Sequence, residues 1–79
     1  MNTTKTIERV ANRITHLARV AHKSDHMTTK VEFNAGHREP WTILVFKMEP
    51  VCKLPHSVSG KTLEEARRRV LEQLNAHKG

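Results

Sequence analysis

The sequence predicts an α+β fold in the order α-β-β-(β)-α, with a short antiparallel sheet packed against two amphipathic helices. Apolar residues recur at helical spacing near each end of the 79-residue chain. Two stretches with the patterns of β-strands lie between these helices. A short connection with glycine and proline separates the two stretches, which is typical of a hairpin. The sequence therefore indicates a single small domain, residues 1–79.

The first predicted helix runs from Thr4 to about His22, with Thr3 or Thr4 as its N-cap. Its apolar residues follow the i, i+3, i+4 pattern of an amphipathic helix: Ile7, Val10, Ile14, Leu17 and Ala21. The opposite face carries a row of basic residues: Lys5, Arg9, Arg13, His16, Arg19 and Lys23. Five lysines and arginines stand against two acidic residues in the first 26 positions, so half of the net charge of +6 lies there.

The sheet is predicted from two stretches with different patterns. Thr28–Asn34 alternates between two faces, as a strand buried on one face does. Trp41–Met48 is apolar on both faces, so both need a cover. The helices could sandwich the sheet, or they could share one face and leave the other for a partner. In Pro50–Gly60 a third strand could begin near Val51, kept at the sheet margin by Pro55, or a strand could lie just before the last helix.

The second predicted helix begins at Thr62, whose hydroxyl can cap the free amides of the first turn. Glu65, three residues later, would complete a capping box. An apolar stripe recurs at helical spacing: Leu63, Ala66, Val70 and Leu74, widened by Leu71. Within the basic run, Arg68 and Arg69 each follow a glutamate by four residues. This spacing predicts ion pairs that partly neutralise the run, which favours a solvated face over the alternative of a phosphate-binding ridge.

The net charge of +6 favours acidic partners, which include nucleic acid, an anionic membrane surface and acidic proteins. The start of the chain lacks the apolar core of a signal peptide. The longest apolar run, Ile43–Phe46, is far shorter than a membrane span, so we expect no membrane partner. The single cysteine, Cys52, excludes an internal disulfide and favours a reducing cytoplasm.

No pattern typical of catalysis or metal binding is present. Gly60-Lys61-Thr62 is similar to the end of a phosphate-binding loop, but Pro55 stands where that motif needs a glycine. His22 and His26 lie one helical turn apart, yet they do not complete a set of four ligands. We therefore expect no enzyme activity, no cofactor and no metal site.

The segment Leu54-Pro55, followed by Gly60-Lys61-Thr62-Leu63-Glu64-Glu65-Ala66, resembles the strand end and helix start of the HicB-type antitoxin module. The resemblance covers residues 30–74, with residues 30–48 in the place of the module's first hairpin. It departs at Lys61, where the family usually has an acid, and in the basic helix that precedes the sheet. The resemblance implies a toxin-binding protein that can also bind DNA.

The element order is also similar to that of the double-stranded-RNA-binding domain. Gly36-His37 falls where that family has a Gly-Pro-x-His turn. The family grips phosphates with lysines at the start of its last helix. Here Glu64 and Glu65 occupy that region, so the similarity is one of topology.

These observations favour a small non-enzymatic basic protein that binds nucleic acid or a nucleoprotein complex stoichiometrically. The alternative is a protein-directed inhibitor, antitoxin-like or phage-encoded like the anti-CRISPR proteins. It would dock on a host protein through the sheet face and a loop of residues 50–59. A homodimer through the sheet is a further expectation, because so small a chain buries little apolar surface. The predicted binding residues are Arg9, Arg13, His16, Arg19, Lys23, Arg67 and Arg68.

Overall fold

A computed structural model describes residues 4–48 and 52–78 of the chain. The element order is α1 (Thr4–His22), β1 (Met27–Phe33), β2 (Trp41–Lys47), β3 (Lys53–Gly60) and α2 (Leu63–Lys78). The predicted α-β-β-β-α order and the α+β class are confirmed, including the third strand that the sequence left open. The two strands of the predicted hairpin begin and end within one residue of the predicted positions.

The three strands form one antiparallel sheet in the order β1-β2-β3. Val31 lies opposite Ile43 in the β1–β2 pair, and Ile43 lies opposite Val58 in the β2–β3 pair. The hairpin is closed by the Asn34 amide, which donates to the carbonyl of Pro40 at 2.8 Å. Gly36 in this connection has a φ of 91°, a conformation that other residues rarely adopt.

β3 is an edge strand, which explains how it accommodates a proline. Pro55 has no amide hydrogen, so it is tolerated only where no neighbouring strand needs one. The register between β2 and β3 also shifts between Val45 and Lys47, close to the proline. Residues 50–59 were expected to form a loop, and this is wrong for residues 53–59, because pairing with β2 makes them a strand. Pro50 and Val51 lie outside the described residues.

Both helices pack on the same face of the sheet, one of the two arrangements that the sequence allowed. Between them and the strands lies the core, formed by Ile14, Ala18, Met27, Ile43, Val45, Val58, Leu63, Ala66, Val70 and Leu74. The other face of β2, with Leu44 and Phe46, has neither helix over it. Each of these two side chains is half-buried by its neighbours within the sheet.

The two helices run in the same direction, so their C-terminal ends meet. α1 runs antiparallel to β1, because Thr15 bonds to Thr29 at 2.7 Å while Arg19 reaches the earlier Met27. β3 is parallel to β1, and α2 turns back from β3 within two residues. Both helices therefore present their amino ends at one edge of the layer and their carboxyl ends at the other.

The start of α2 follows its local sequence. The Thr62 hydroxyl accepts from the Glu65 amide at 3.0 Å, which confirms the predicted N-cap. The Glu65 carboxylate pairs with Arg69 at 2.8 Å, so it is engaged further along the helix than a capping box requires. Gly60 is buried just before the cap, where the chain passes against the backbone of α2.

Candidate nucleic-acid interface

The exposed face of α1 carries the predicted basic row. Ile14 and Ala18 are 1% and 0% exposed, so the opposite side of the helix faces the solvent. Arg9, Arg13 and His16 are exposed on that outer side, and Lys23 is exposed just beyond the helix. Residues four apart on a helix are separated by about 6 Å along its axis. The row is therefore a line of cationic groups along one helix, open along its length.

The arginines in the middle of the row have no internal partner. Within residues 4–48 and 52–78, Arg9 and Arg13 take part in no ion pair and no hydrogen bond between side chains. Glu8, the only acidic residue of α1, is likewise absent from the ion pairs. Two guanidinium groups one helical turn apart repel each other weakly and attract anions from outside.

Arg19 is bound differently from the other members of the row. Its Nε donates to the backbone carbonyl of Met27 at 3.2 Å, which ties the last turn of α1 to the start of β1. The side chain is nevertheless exposed, and a guanidinium group has four further N–H donors. Arg19 therefore has a structural contact and still contributes positive charge to the row.

The arginines of α2 are mostly paired within the protein. Arg67 forms a bidentate pair with Glu64, and this hydrogen bond lowers the pKa of the Glu64 carboxyl. Arg69 contacts the carboxylates of Glu39 at 2.6 Å and Glu65 at 2.8 Å. The hydrogen bond that Arg69 donates to Glu39 raises the pKa of Arg69 above its ordinary value. Arg69 thus joins α2 to the hairpin connection.

The pairing within the basic run differs from the expected one. The spacing predicted that Arg68 and Arg69 would be neutralised, but Arg67 and Arg69 are the paired residues. Glu64 accepts from the arginine three residues later, which is as close on a helix as the one four residues later. Of the two predicted binding residues on α2, Arg68 is exposed without an ion pair among the described residues, and Arg67 is held by Glu64.

The open face of the sheet is the second candidate surface. Its centre is formed by Leu44 and Phe46 of β2. Polar side chains surround them: Thr28, Lys30, Glu32, Thr42, Ser57 and Ser59. Met48, just past the strand, is 54% exposed. This surface is mixed in character, with a small apolar centre and a polar margin.

A cluster of histidines that was not predicted from the sequence lies at the carboxyl ends of the helices. The Nε2 atoms of His22 and His56 lie 2.8 Å apart, and the rings of His22 and His77 stack at 3.8 Å. From the sequence, His22 was considered only together with His26, as a pair of possible metal ligands one helical turn apart. One signal was available: His56, Val58 and Gly60 alternate on one side of β3, which would have turned the histidine inward had the strand been recognised.

The described residues contain no group of three or more histidine, cysteine, aspartate or glutamate side chains arranged to hold a metal ion. Cys52 is exposed and forms no disulfide. In the ranges that the structure covers, neither helix is long and apolar enough to cross a membrane.

Comparison with known proteins does not assign the chain to a family. No protein-family model matches the sequence. Searches of curated proteins and of solved structures find no significant match. The resemblance of residues 30–74 to the HicB-type antitoxin module therefore stays a prediction.

Proposed function

We propose that the protein is a non-enzymatic cytoplasmic binding protein that associates stoichiometrically with nucleic acid, alone or within a nucleoprotein complex. The observation that supports this most is the open row on α1, where Arg9 and Arg13 are exposed and have no partner among the residues that the structure describes. Arginine recognises phosphate through planar N–H donors, and a row of such groups along a helix matches a polyanion better than a single acidic residue.

The composition of α1 indicates contact with the phosphate backbone. The helix has no phenylalanine, tyrosine or tryptophan, so its surface offers no platform for stacked bases. The aromatic rings of the chain lie on the sheet, where Phe33 packs on Trp41 at 4.8 Å between centroids. Binding through α1 would therefore be largely independent of sequence and strongly dependent on salt.

The salt dependence gives a quantitative test. If Arg9, Arg13, Arg19 and Lys23 each neutralise one phosphate, the logarithm of affinity falls with the logarithm of salt at a slope of about −3.6 on duplex DNA. We expect this slope from fluorescence anisotropy with a labelled duplex of arbitrary sequence. Arg9→Gln/Arg13→Gln should halve it to about −1.8 and weaken binding about 30-fold at physiological salt.

The matched control removes two charges elsewhere. Lys30 on β1 and Lys53 on β3 are exposed and belong to the sheet, not to α1. Lys30→Gln/Lys53→Gln has the same net charge as the α1 variant but leaves the row intact, so it should reduce the slope much less. A flat salt response, or equal losses in the two variants, would refute binding through α1.

A second candidate function is that of a protein-directed inhibitor, as an antitoxin-like or anti-CRISPR-type protein would be. The specific observation is the face of the sheet with Leu44 and Phe46, which no described helix covers. Because residues 53–59 form a strand, a docking partner would meet this face rather than a free loop. Capture from lysate with and without nuclease separates the candidates: a protein partner that survives nuclease and is lost in Leu44→Ser/Phe46→Ser supports the inhibitor.

The open face of the sheet is also the surface through which two copies of the chain would associate. Two copies that packed their open faces together would bury Leu44 and Phe46 and leave both α1 rows exposed. Multi-angle light scattering at increasing protein concentration tests this homodimer. A mass that stays at the value of one 9.1 kDa chain would exclude it.

A further inference from the structure

Three histidines from three elements meet where the carboxyl ends of the two helices converge. His22 is the last residue of α1, His56 lies on the helix side of β3, and His77 is in the last turn of α2. The Nε2 atoms of His22 and His56 are 2.8 Å apart, and the rings of His22 and His77 stack at 3.8 Å with an angle of 22°. His56 is 6% exposed, so this contact is closed to water on one side.

The hydrogen bonds of the closed cluster restrict which ring nitrogen atoms carry a hydrogen. Gln73 Oε1 lies 2.9 Å from His56 Nδ1, and an amide oxygen can only accept, so His56 carries a hydrogen on Nδ1. In the neutral ring His56 Nε2 is then an acceptor, and His22 donates to it through Nε2–H. When both rings are neutral, the closed arrangement therefore requires complementary tautomers, with hydrogen on Nδ1 of His56 and on Nε2 of His22.

The hydrogen bond between His22 and His56 can be kept when the two rings together take up one proton, but not when they take up two. A protonated His56 can donate to His22 once the latter moves its hydrogen to Nδ1. With both rings protonated, two N–H groups would face each other across 2.8 Å, and the hydrogen bond would be lost. If His77 were also protonated, its positive charge would lie directly against the stacked ring of His22.

The surroundings of the cluster are basic. In addition to burial, the positive charge of Lys47 on β2 lowers the pKa of His22. Lys53 on β3 lies opposite Lys47 in the strand register. On α1, Arg19 is bound to the Met27 carbonyl, and on α2 the facing residue Gln73 is neutral. No carboxylate of the described residues forms an ion pair with any of the three rings. Burial lowers the pKa of His22, and the neighbouring His77, His56 and Lys47 lower it further.

We propose that His22, His56 and His77 form a proton-operated latch that fastens the carboxyl ends of α1 and α2 to β3 when the rings are neutral and opens when they are protonated. A histidine that resists protonation in the folded chain takes up its proton preferentially on unfolding. The stabilising contribution of the latch is complete above about pH 6.5 and falls as the pH drops below that value. The latch is independent of what the α1 row binds.

An opposing effect is present at the same place. The carboxyl end of a helix carries a partial negative charge, which favours a protonated histidine there. Two such ends converge on this cluster. If the helix ends dominated, stability would rise as the pH falls, which is the opposite sign to the latch.

Thermal unfolding and chemical denaturation between pH 5.5 and 7.5 distinguish the two effects. For the wild type we expect the unfolding equilibrium constant to rise up to about tenfold per pH unit for each excluded proton below pH 6.5. His22→Gln keeps an N–H donor for His56 but cannot titrate, so its curve should be flatter. His16→Gln is the matched control, because His16 is exposed on the outer side of the same helix; its curve should follow the wild type.

A second measurement needs no variant. Hydrogen exchange of the wild type should show amides in the last turns of α1 and α2 losing protection at pH 5.5, ahead of those in β2. The latch is overturned if stability is constant or rises on acidification. It is also overturned if His22→Gln retains the full pH dependence or if the last turns stay as protected as β2.

Discussion

Replacing Gly60 tests how β3 meets α2. A Cβ built on Gly60 would lie 2.6 Å from the backbone nitrogen of Ala66 and 3.0 Å from the backbone oxygen of Thr62. Ordinary contacts begin at 3.4 Å, so the first turn of α2 would have to retreat by about 0.8 Å. The obstructing atoms belong to the backbone, so no side-chain rotation relieves the contact.

Overpacking of this kind costs about 1–3 kcal/mol and occasionally more. A 79-residue domain has a free energy of unfolding of about 4–12 kcal/mol. Gly60→Ala should therefore lower this free energy by a large fraction. The melting temperature should fall by about 4–24 °C, since 1 kcal/mol corresponds to about 4–8 °C in a domain of this size. Calorimetry or circular dichroism measures the shift.

Gly36 provides the control, because its cost has a different cause. A Cβ there would meet nothing within 4 Å, but φ is 91°, so Gly36→Ala should cost about 1 kcal/mol through backbone strain alone. Gly36→Asn should recover part of that loss, since asparagine tolerates positive φ. At Gly60 asparagine should be at least as harmful as alanine. If Gly60→Ala melts within 2 °C or so of the wild type, the close approach of β3 to α2 is not as described.

The remaining predictions concern α2 and the free cysteine. Thr62→Ala removes the N-cap and should cost about 0.5–2 kcal/mol in urea denaturation, whereas Thr62→Ser should be close to neutral. Arg69→Gln should lower the melting temperature by more than Arg68→Gln, because only the former is joined to the hairpin connection; equal shifts would contradict this. The lowered pKa of Glu64 means that its contribution is present above about pH 4.5 and is lost as the pH falls below it, so Glu64→Gln should flatten acid unfolding in that range. Cys52 should react with a thiol reagent in the native protein as quickly as in urea, and a slow native reaction would refute its exposure.

The hairpin and both helices could be predicted because each has a local signal. Alternation fixed the two faces of β1, and the apolar run of β2 identified it as a strand, although the helices cover only one of its two apolar faces. The hydroxyl of Thr62 located the start of α2 to the residue. These signals depend on residues a few positions apart, which is the range that pattern analysis covers.

β3 could not be assigned in the same way, because its pattern is weak. Its inward positions are a histidine, one valine and a glycine, and Pro55 interrupts its hydrogen-bonding groups. The strand exists through its pairing with β2, a contact between distant parts of the chain. For the same reason the histidine cluster was not visible: His22 and His56 are 34 positions apart, and only the fold brings them together.

The two helices use their arginines in opposite ways, and this contrast supports the interpretation of α1. On α2, glutamates within the helix and on the hairpin connection take up Arg67 and Arg69, so these charges contribute to the fold. On α1, Arg9 and Arg13 lie one turn apart without such partners in residues 4–48 and 52–78. Like charges at this spacing destabilise a helix by about 0.2–0.5 kcal/mol. A charge arrangement that slightly opposes folding, on the surface that faces solvent, is consistent with a counter-charge outside the molecule. We propose that a phosphate backbone supplies this counter-charge.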